Sequence, residues 1–268
     1  MSYQIIDTHV HVFPDAILER SMAALQGVEG VKAYGDGSLA GLRSSMKRAG
    51  IGCSLVLPVA TKPRQFDSVN RFATSLNALP DVRSLGGIHP DCEDLEGRLD
   101  ELAARGFRGV KLHPDYQGRD IEYEGYIKIL EGCRKRGMIA VIHAGLDPAF
   151  PEHIHCPPDR SARVVKALTT GKPFIVLAHM GGVAQQDLAE EHLVGLPVYF
   201  DTSYVLDKIP REQLLRMIRT HGAEKILFAT DSPWTDTAAL VRYFDSLPLT
   251  GEERAAILHK NAEELFGF

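Results

Sequence analysis

The sequence predicts an α/β fold, a single closed (β/α)8 TIM barrel over residues 1–268 with a C-terminal helix, and three observations predict it. Eight short apolar runs alternate with segments of helical spacing. Most of these runs are apolar on both faces, as parallel strands covered by helices require. The length of 268 residues also suits the roughly 250 that one such barrel takes, with no low-complexity linker between units. An open doubly wound sheet is the rival. It would spread the polar residues at the strand ends along an edge, whereas a barrel gathers them at one mouth.

The elements follow in order. Ile5–Val12 is the first predicted strand, with His9 and His11 on one face and Val10 and Val12 on the other. Pro14 interrupts it; helical spacing runs from Ala16 to about Leu25, followed by a Gly-rich loop over 27–37 and a helix capped by Ser38 and ended by Gly50. Cys53–Val59 is the second strand and opens into a loop carrying Lys62 and Arg64. A helix from about Gln65 to Leu79 leads to Ser84–Pro90, a third strand softened by glycine. The helix 95–105, stopped by Gly106, precedes Phe107–Pro114, in which Lys111 and His113 share a face opposite Val110 and Leu112.

Ile121–Arg136 is helical, and Met138–Gly145 is a near-continuous apolar strand that ends in His143. The loop over 146–158 holds His153, His155 and Cys156 among prolines. It reads as a pocket-lining or lid segment in preference to a second metal cluster. Asp159 is the predicted cap of a helix reaching about Thr170. Phe174–Gly182 repeats the order strand, histidine, glycine around His179. A helix near 183–193, the strand Val198–Ser203, a helix from Pro210 to His221 and the strand Ile226–Trp234, containing Asp231, complete the series. Gly251–Phe268 is an amphipathic helix expected across the outside or base of the barrel.

Composition narrows the function. The chain is 44% hydrophobic and 24% charged, as in ordinary globular proteins. A net charge of -5 and an absence of any basic stripe argue against nucleic-acid binding, which depends on neutralising phosphates. No apolar stretch approaches the roughly 20 residues that span a bilayer, and no basic-then-apolar leader is visible. The four cysteines are scattered, so neither a disulfide framework nor a Cys-type zinc site is expected. A reduced, cytoplasmic protein is the resulting expectation.

In such barrels the chemistry sits where strands end. The inward polar residues there are His9, His11, Lys111, His113, His143, His179 and Asp231. Imidazoles with one carboxylate suit a catalytic transition-metal site that keeps a position open for water, whose pKa the ion lowers to about 7. Core histidines satisfied by hydrogen bonds are the alternative for each residue taken singly.

The motifs Asp7-Thr8-His9-Val10-His11, Gly109-Val110-Lys111-Leu112-His113-Pro114, Val141-Ile142-His143-Ala144-Gly145, Ala178-His179-Met180-Gly181-Gly182 and Ala229-Thr230-Asp231-Ser232-Pro233-Trp234 carry a resemblance. Together they make the chain similar to the amidohydrolase superfamily, in its amidohydrolase-2 branch, which also contains aminocarboxymuconate-semialdehyde decarboxylase and related non-oxidative decarboxylases. The resemblance implies one divalent metal, zinc first with manganese or iron(II) as alternatives, held by His9, His11, His143 and Asp231. It implies that His179 contacts the metal-bound water or the scissile group, and that Asp231 takes the water's proton and returns it to the leaving group. Two-metal relatives bridge their ions with a carboxylated lysine on the fourth strand. The single-metal arrangement of this branch leaves Lys111, with His113, to hold a substrate anion or to stiffen the barrel.

The implied function is hydrolysis of a small-molecule amide, lactone or ester. The alternative is metal-dependent decarboxylation of a small carboxylated substrate, and a catalytically inactive scaffold is disfavoured because no ligand is missing. An anionic substrate would suit Lys111, Lys62 and Arg64. Trp234 is expected to wall the pocket, and Asp201 and Tyr204 to support the site or touch substrate. His192, His221 and His259 are expected at the surface, and His89 stays open. Nothing implies a membrane partner, and a homodimer is plausible on family grounds.

Overall fold

The computed structural model describes residues 5–268. Among the described residues, nine short strands, all parallel, form two ladders: β1 (Ile6–Val10), β2 (Cys53–Val56) and β3 (Val82–Ser84) in the first, then β4 (Gly86–Gly87), β5 (Gly109–Leu112), β6 (Ile139–Ile142), β7 (Ile175–Leu177), β8 (Tyr199–Asp201) and β9 (Ile226–Leu227) in the second. The ladders are two arcs of one TIM barrel. At one seam the third predicted strand splits at Leu85, so that β3 pairs with β2 and β4 with β5. Asn70 explains the break: its side-chain amide accepts from Gly87 N at 2.8 Å and donates to Gly87 O at 2.8 Å, taking both main-chain groups. At the other seam Thr8 N donates to Phe228 O (3.0 Å), Asp231 N to His9 O (2.9 Å) and His11 N to Ser232 O (2.7 Å), which closes the ring.

Around it lie α1 (Asp15–Gln26), α2 (Leu39–Ala49), α3 (Phe66–Leu76), α4 (Leu95–Ala104), the single turn α5 (Pro114–Gln117), α6 (Glu124–Arg136), α7 (Pro158–Leu168), α8 (Gln186–His192), α9 (Arg211–His221) and α10 (Thr237–Asp245). The predicted punctuation is physical. Ser38 Oγ accepts from Gly41 N at 2.9 Å, and Gly50 and Gly137 end their helices at φ 72° and 63°, a conformation that costs glycine little. Gly132 of α6 admits Leu99 of α4, where an added Cβ would stand 2.3 Å from Leu99 Cδ1. Burial of such a leucine stabilises the fold by about 1.5–3 kcal/mol.

Four expectations need correction. Pro157, not Asp159, occupies the cap position of α7, and it makes no side-chain cap bond. The helix expected from 183 starts at Gln186, because His179–Gly181 forms a 3-10 turn with His179 and Met180 at positive φ. Helix α3 stops at Leu76, since Asn77 turns its amide to Ser84 N (2.7 Å) and Ser84 O (3.2 Å). His221 is buried rather than superficial: Nε2 lies 2.7 Å from Val198 O, Nδ1 accepts from Gly195 N at 3.0 Å, and the ring stacks on Phe200 at 4.3 Å. The helix α10, capped by Asp236, was not anticipated.

The tail forms α11 (Gly251–Ala255), a π turn over Ala256–Lys260 and α12 (Asn261–Phe266). Asn261 Nδ2 donates to Ala223 O (2.8 Å) and Ile226 O (2.7 Å), which fixes the tail against the start of β9 and hence the base of the barrel. The strand C-termini at the opposite end are left to the polar residues.

Candidate metal centre

β1 delivers His9 into the barrel, and the chain just beyond it delivers His11; the segment after β9 brings Asp231 to meet them across the closing seam. His9 Nε2 lies 3.4 Å and His11 Nε2 3.2 Å from Asp231 Oδ1. The far ring nitrogens decide what faces that oxygen. His9 Nδ1 is 2.9 Å from Asp201 Oδ2, and His11 Nδ1 is 3.1 Å from Leu57 O, so each ring in its neutral form carries its hydrogen on Nδ1 and turns an Nε2 lone pair towards the carboxylate. Burial first, then the adjacent Lys111, pushes the His9 imidazole down to about 3, so that ring is neutral. Burial alone would raise Asp231, but the facing imidazoles, His11 first, outweigh it when they carry a proton on Nε2, and hold the carboxyl at about 2. Lone pairs converging on a carboxylate oxygen in a dry interior are a donor set for a cation. The residues present therefore fit a divalent ion.

Asp201, at the end of β8, organises the back of the site. Besides His9 it accepts from His179 N (2.9 Å), Ser203 N (3.1 Å) and Ser203 Oγ. Burial opposes its charge, yet the His9 contacts prevail and keep it well below the usual carboxylate range. His179 Nδ1 faces Ser203 O at 3.0 Å, which leaves its Nε2 to accept from His143 Nδ1 at 3.0 Å. His143 then presents Nε2, a buried nitrogen without a hydrogen-bond partner, 3.7 Å from Asp115 Oδ2, which also lacks one. His143 stacks on His113 with centroids 4.1 Å apart, and His113 Nε2 stands 3.5 Å from Asp147 Oδ2. Burial pushes Asp147 up to about 6 and raises Asp115.

Lys111 is fully buried on β5, with Nζ 3.3 Å from His9 Nε2; burial pushes its ammonium down to about 8. Asp7, pushed up to about 7 by burial, braces the seam by accepting from Thr230 N at 2.9 Å and from Thr230 Oγ1 at 2.5 Å. His179, Tyr204 and Asp231 sit at φ 61°, 63° and 68°. Non-glycine residues in this left-handed region cluster at functional sites, where the surrounding structure holds the strain.

Two candidates lie apart from this cluster. Arg64 is exposed on a 3-10 turn, Pro63–Gln65, and neither it nor Lys62 makes an ion pair among the described residues. Trp234 is half-buried and hydrogen-bonded through its backbone to Asp231 O at 2.8 Å. A cleft of about 150 Å³ runs outward from His11 past Tyr34, Ser38, Pro233 and Thr237, and Trp234 is not among its walls. His89, buried, accepts from Asp91 N at 3.1 Å. Asp115, Asp147 and Ser203 were missed as site residues. Asp115 had a signal in its place two residues beyond His113, immediately after a strand; nothing in the sequence singles out Asp147 or Ser203.

A family model described as amidohydrolase matches residues 6–268. A search of curated proteins returns no match. Among solved structures, the chain is similar to a protein described provisionally as a 2-pyrone-4,6-dicarboxylic acid hydrolase from Pseudomonas putida, with TM-score 0.70, 22% identity, and 100% of this chain and 98% of that one covered. It is similar to the 5-carboxyvanillate decarboxylase of Sphingomonas paucimobilis, with TM-score 0.72, 17% identity and 100% of both chains covered. The 5-carboxyvanillate decarboxylase of Novosphingobium aromaticivorans, solved with manganese and 4-hydroxy-3-methoxy-5-nitrobenzoic acid, has TM-score 0.68 and 17% identity over 99% of this chain and 96% of that one. These likenesses establish the fold. With the family model covering all but the first few residues, the chain belongs to the amidohydrolase family and is an enzyme of that superfamily.

Proposed function

We propose that this enzyme uses one divalent metal to hydrolyse an amide, lactone or ester bond in a small, anionic molecule. The observation that carries the reading is the convergence of His9 Nε2, His11 Nε2 and Asp231 Oδ1 beside the buried Lys111 ammonium. His9, His11 and Asp231 would hold the ion, and His143 would become the fourth donor once its ring turns from His179 and Asp115 towards the trio. Zinc suits such a nitrogen-rich set, and manganese is supported by the similar decarboxylase that binds it. When bound, the ion supplies Lewis acidity, activating water at neutral pH and polarising the bond to be cleaved.

The chain's own residues supply the rest. Asp231 is ionised throughout the neutral range, so its carboxylate takes a proton from water and passes it to the leaving group. His179, fixed in one tautomer by Ser203 O, orients His143 through Nε2 and would steady developing negative charge once Nε2 takes up a proton. Lys111 and His113 orient a substrate carboxylate in the closed interior, where little water competes.

A second reading, non-oxidative decarboxylation, is supported by a separate observation. Loss of carbon dioxide from an ionised acid requires a proton to take its place on carbon, and Asp115 and Asp147 are carboxyls that burial makes willing to carry one. The test is metal analysis of protein purified without chelator, followed by assays with lactones, amides and carboxylated aromatics. The expected result is about one ion per chain that depends on His9 and Asp231, lost together with the activity in His9→Ala and Asp231→Ala. Carbon dioxide release selects decarboxylation; an additional carboxylate without gas selects hydrolysis. Protein that neither holds nor takes up metal and turns over none of these compounds refutes both.

A further inference from the structure

We propose that Asp120, His153 and His155 form a second divalent-metal site on the rim of the barrel mouth, independent of the inner donors. The residues come from two loops: Asp120 lies between α5 and α6, and the two histidines lie on the segment between β6 and α7. One donor atom from each falls within 4.8 Å of the others. His153 Nε2 stands 2.7 Å from Asp120 Oδ1, and the two imidazoles meet edge to face at 4.5 Å. The main chain holds the loops together, with Ile121 N donating to His155 O at 2.9 Å.

The arrangement has the support that a ligand histidine normally receives. Asp115, buried, accepts from His155 Nδ1 at 3.0 Å and from His155 N at 3.4 Å, which fixes the ring and leaves the Nε2 lone pair free. A carboxylate behind a metal-binding imidazole sets its tautomer and raises its basicity. Neighbouring cations are already engaged: Arg160 donates to Glu122 Oε2 at 2.6 Å and meets Asp120 only through Oδ2 at 3.1 Å, while Arg119 is held by Asp91 at 2.9 Å. Asp120 Oδ1 faces the other proposed ligand, His153 Nε2.

Access is open. A depression of about 410 Å³ is lined by these residues, and His153 is 55% exposed, so a hydrated ion can enter and retain waters at its remaining positions. Two imidazoles and one carboxylate match zinc, cobalt or nickel rather than calcium or magnesium. On binding, an ion would take the place of the hydrogen between His153 Nε2 and Asp120 Oδ1. Cys156 is no ligand: its thiol is buried 3.2 Å from Ser161 Oγ, and Asp120 takes the place that sequence proximity would have given it. An ion here would staple the two loops that rim the mouth.

The test uses zinc alone. Equilibrium dialysis followed by elemental analysis compares wild type, His153→Gln, Asp120→Asn, a variant lacking inner donors (His9→Ala with Asp231→Ala), and that variant with His153→Gln added. The rim variants are expected to hold one ion fewer than wild type, and the inner-donor variant to keep one ion that disappears when His153→Gln is added. Cobalt(II) added to the inner-donor variant should give a visible absorption band absent with His153→Gln. Equal zinc content in wild type and both rim variants, with circular dichroism showing all of them folded, overturns the proposal. Failure of the inner donors to bind metal would refute the catalytic reading and leave the rim count unaffected.

Discussion

Asp201→Asn changes no volume and removes one charge, and its consequence follows from the donors that surround the carboxylate. One oxygen receives His9 Nδ1; the other receives His179 N, Ser203 N and Ser203 Oγ. An asparagine NH2 placed at the second position would oppose two backbone N–H groups, so the amide settles with its oxygen there and its NH2 facing His9. His9 must then accept on Nδ1 and carry its hydrogen on Nε2, the atom aimed at Asp231. The lone pair is lost from the metal side without any movement of the ring. Losing a partner of this kind costs about 10–100-fold in metal affinity, or roughly 1.4–2.8 kcal/mol. Overall stability should fall by only about 1–2 kcal/mol, since the backbone bonds survive, giving a Tm decrease of a few degrees. Zinc affinity measured by competition with a chromogenic chelator, beside circular dichroism melting, checks both. A variant that binds zinc within about twofold of wild type would refute the tautomer argument.

Gly145→Ala is expected to cost about 3 kcal/mol or more: Gly145 sits at φ 85°, and an added Cβ would lie 2.1 Å from Val183 N, a backbone atom that cannot yield. Soluble yield and chemical denaturation measure it. Leu99→Ala, wholly buried between α4 and α6, should cost about 2–5 kcal/mol by urea unfolding, without altering metal content. His221, pushed down to about 4 by burial, binds fewer protons folded than unfolded, so its contribution is complete above pH 6.5 and is lost as pH falls towards 4. Between pH 7 and 5 it should account for about 2 kcal/mol of acid destabilisation, absent from the pH profile of His221→Gln. Chelator treatment should lower the Tm of wild type more than that of Asp231→Ala, since an ion held only by the folded chain adds to its stability.

The barrel was legible because its strands are apolar runs between glycine and proline punctuation, and these signals are local. The division of the third strand was not, since it depends on the Asn70 amide reaching Gly87 from a helix 17 residues earlier. His9, His11 and Asp231 were legible as candidate ligands at strand ends, and the structure places their side chains within 3.4 Å of one shared oxygen. His143 lies beside the trio, engaged with His179, a relation set by ring orientation that no spacing reveals. Asp115 shows the limit most clearly. Its two oxygens face His143 and His155, residues from different parts of the β6–α7 connection, and only the three-dimensional path of that loop makes it a bridge. His221 misled because a histidine on an amphipathic helix looks solvated until its face is known.

The closing seam joins residues separated by 220 positions, as in the bond from Thr8 to Phe228. Contacts of that span are entropically the most expensive to form and tend to come late in folding. His9 and His11 lie on one side of the seam and Asp231 on the other, so an intermediate with most helices in place and the ring still open keeps the three proposed ligands apart. Metal capture by the proposed site would thus report completion of the barrel. During synthesis β1 must wait, unpaired on one edge, until β9 has left the ribosome, and that exposed edge is the place where aggregation would begin.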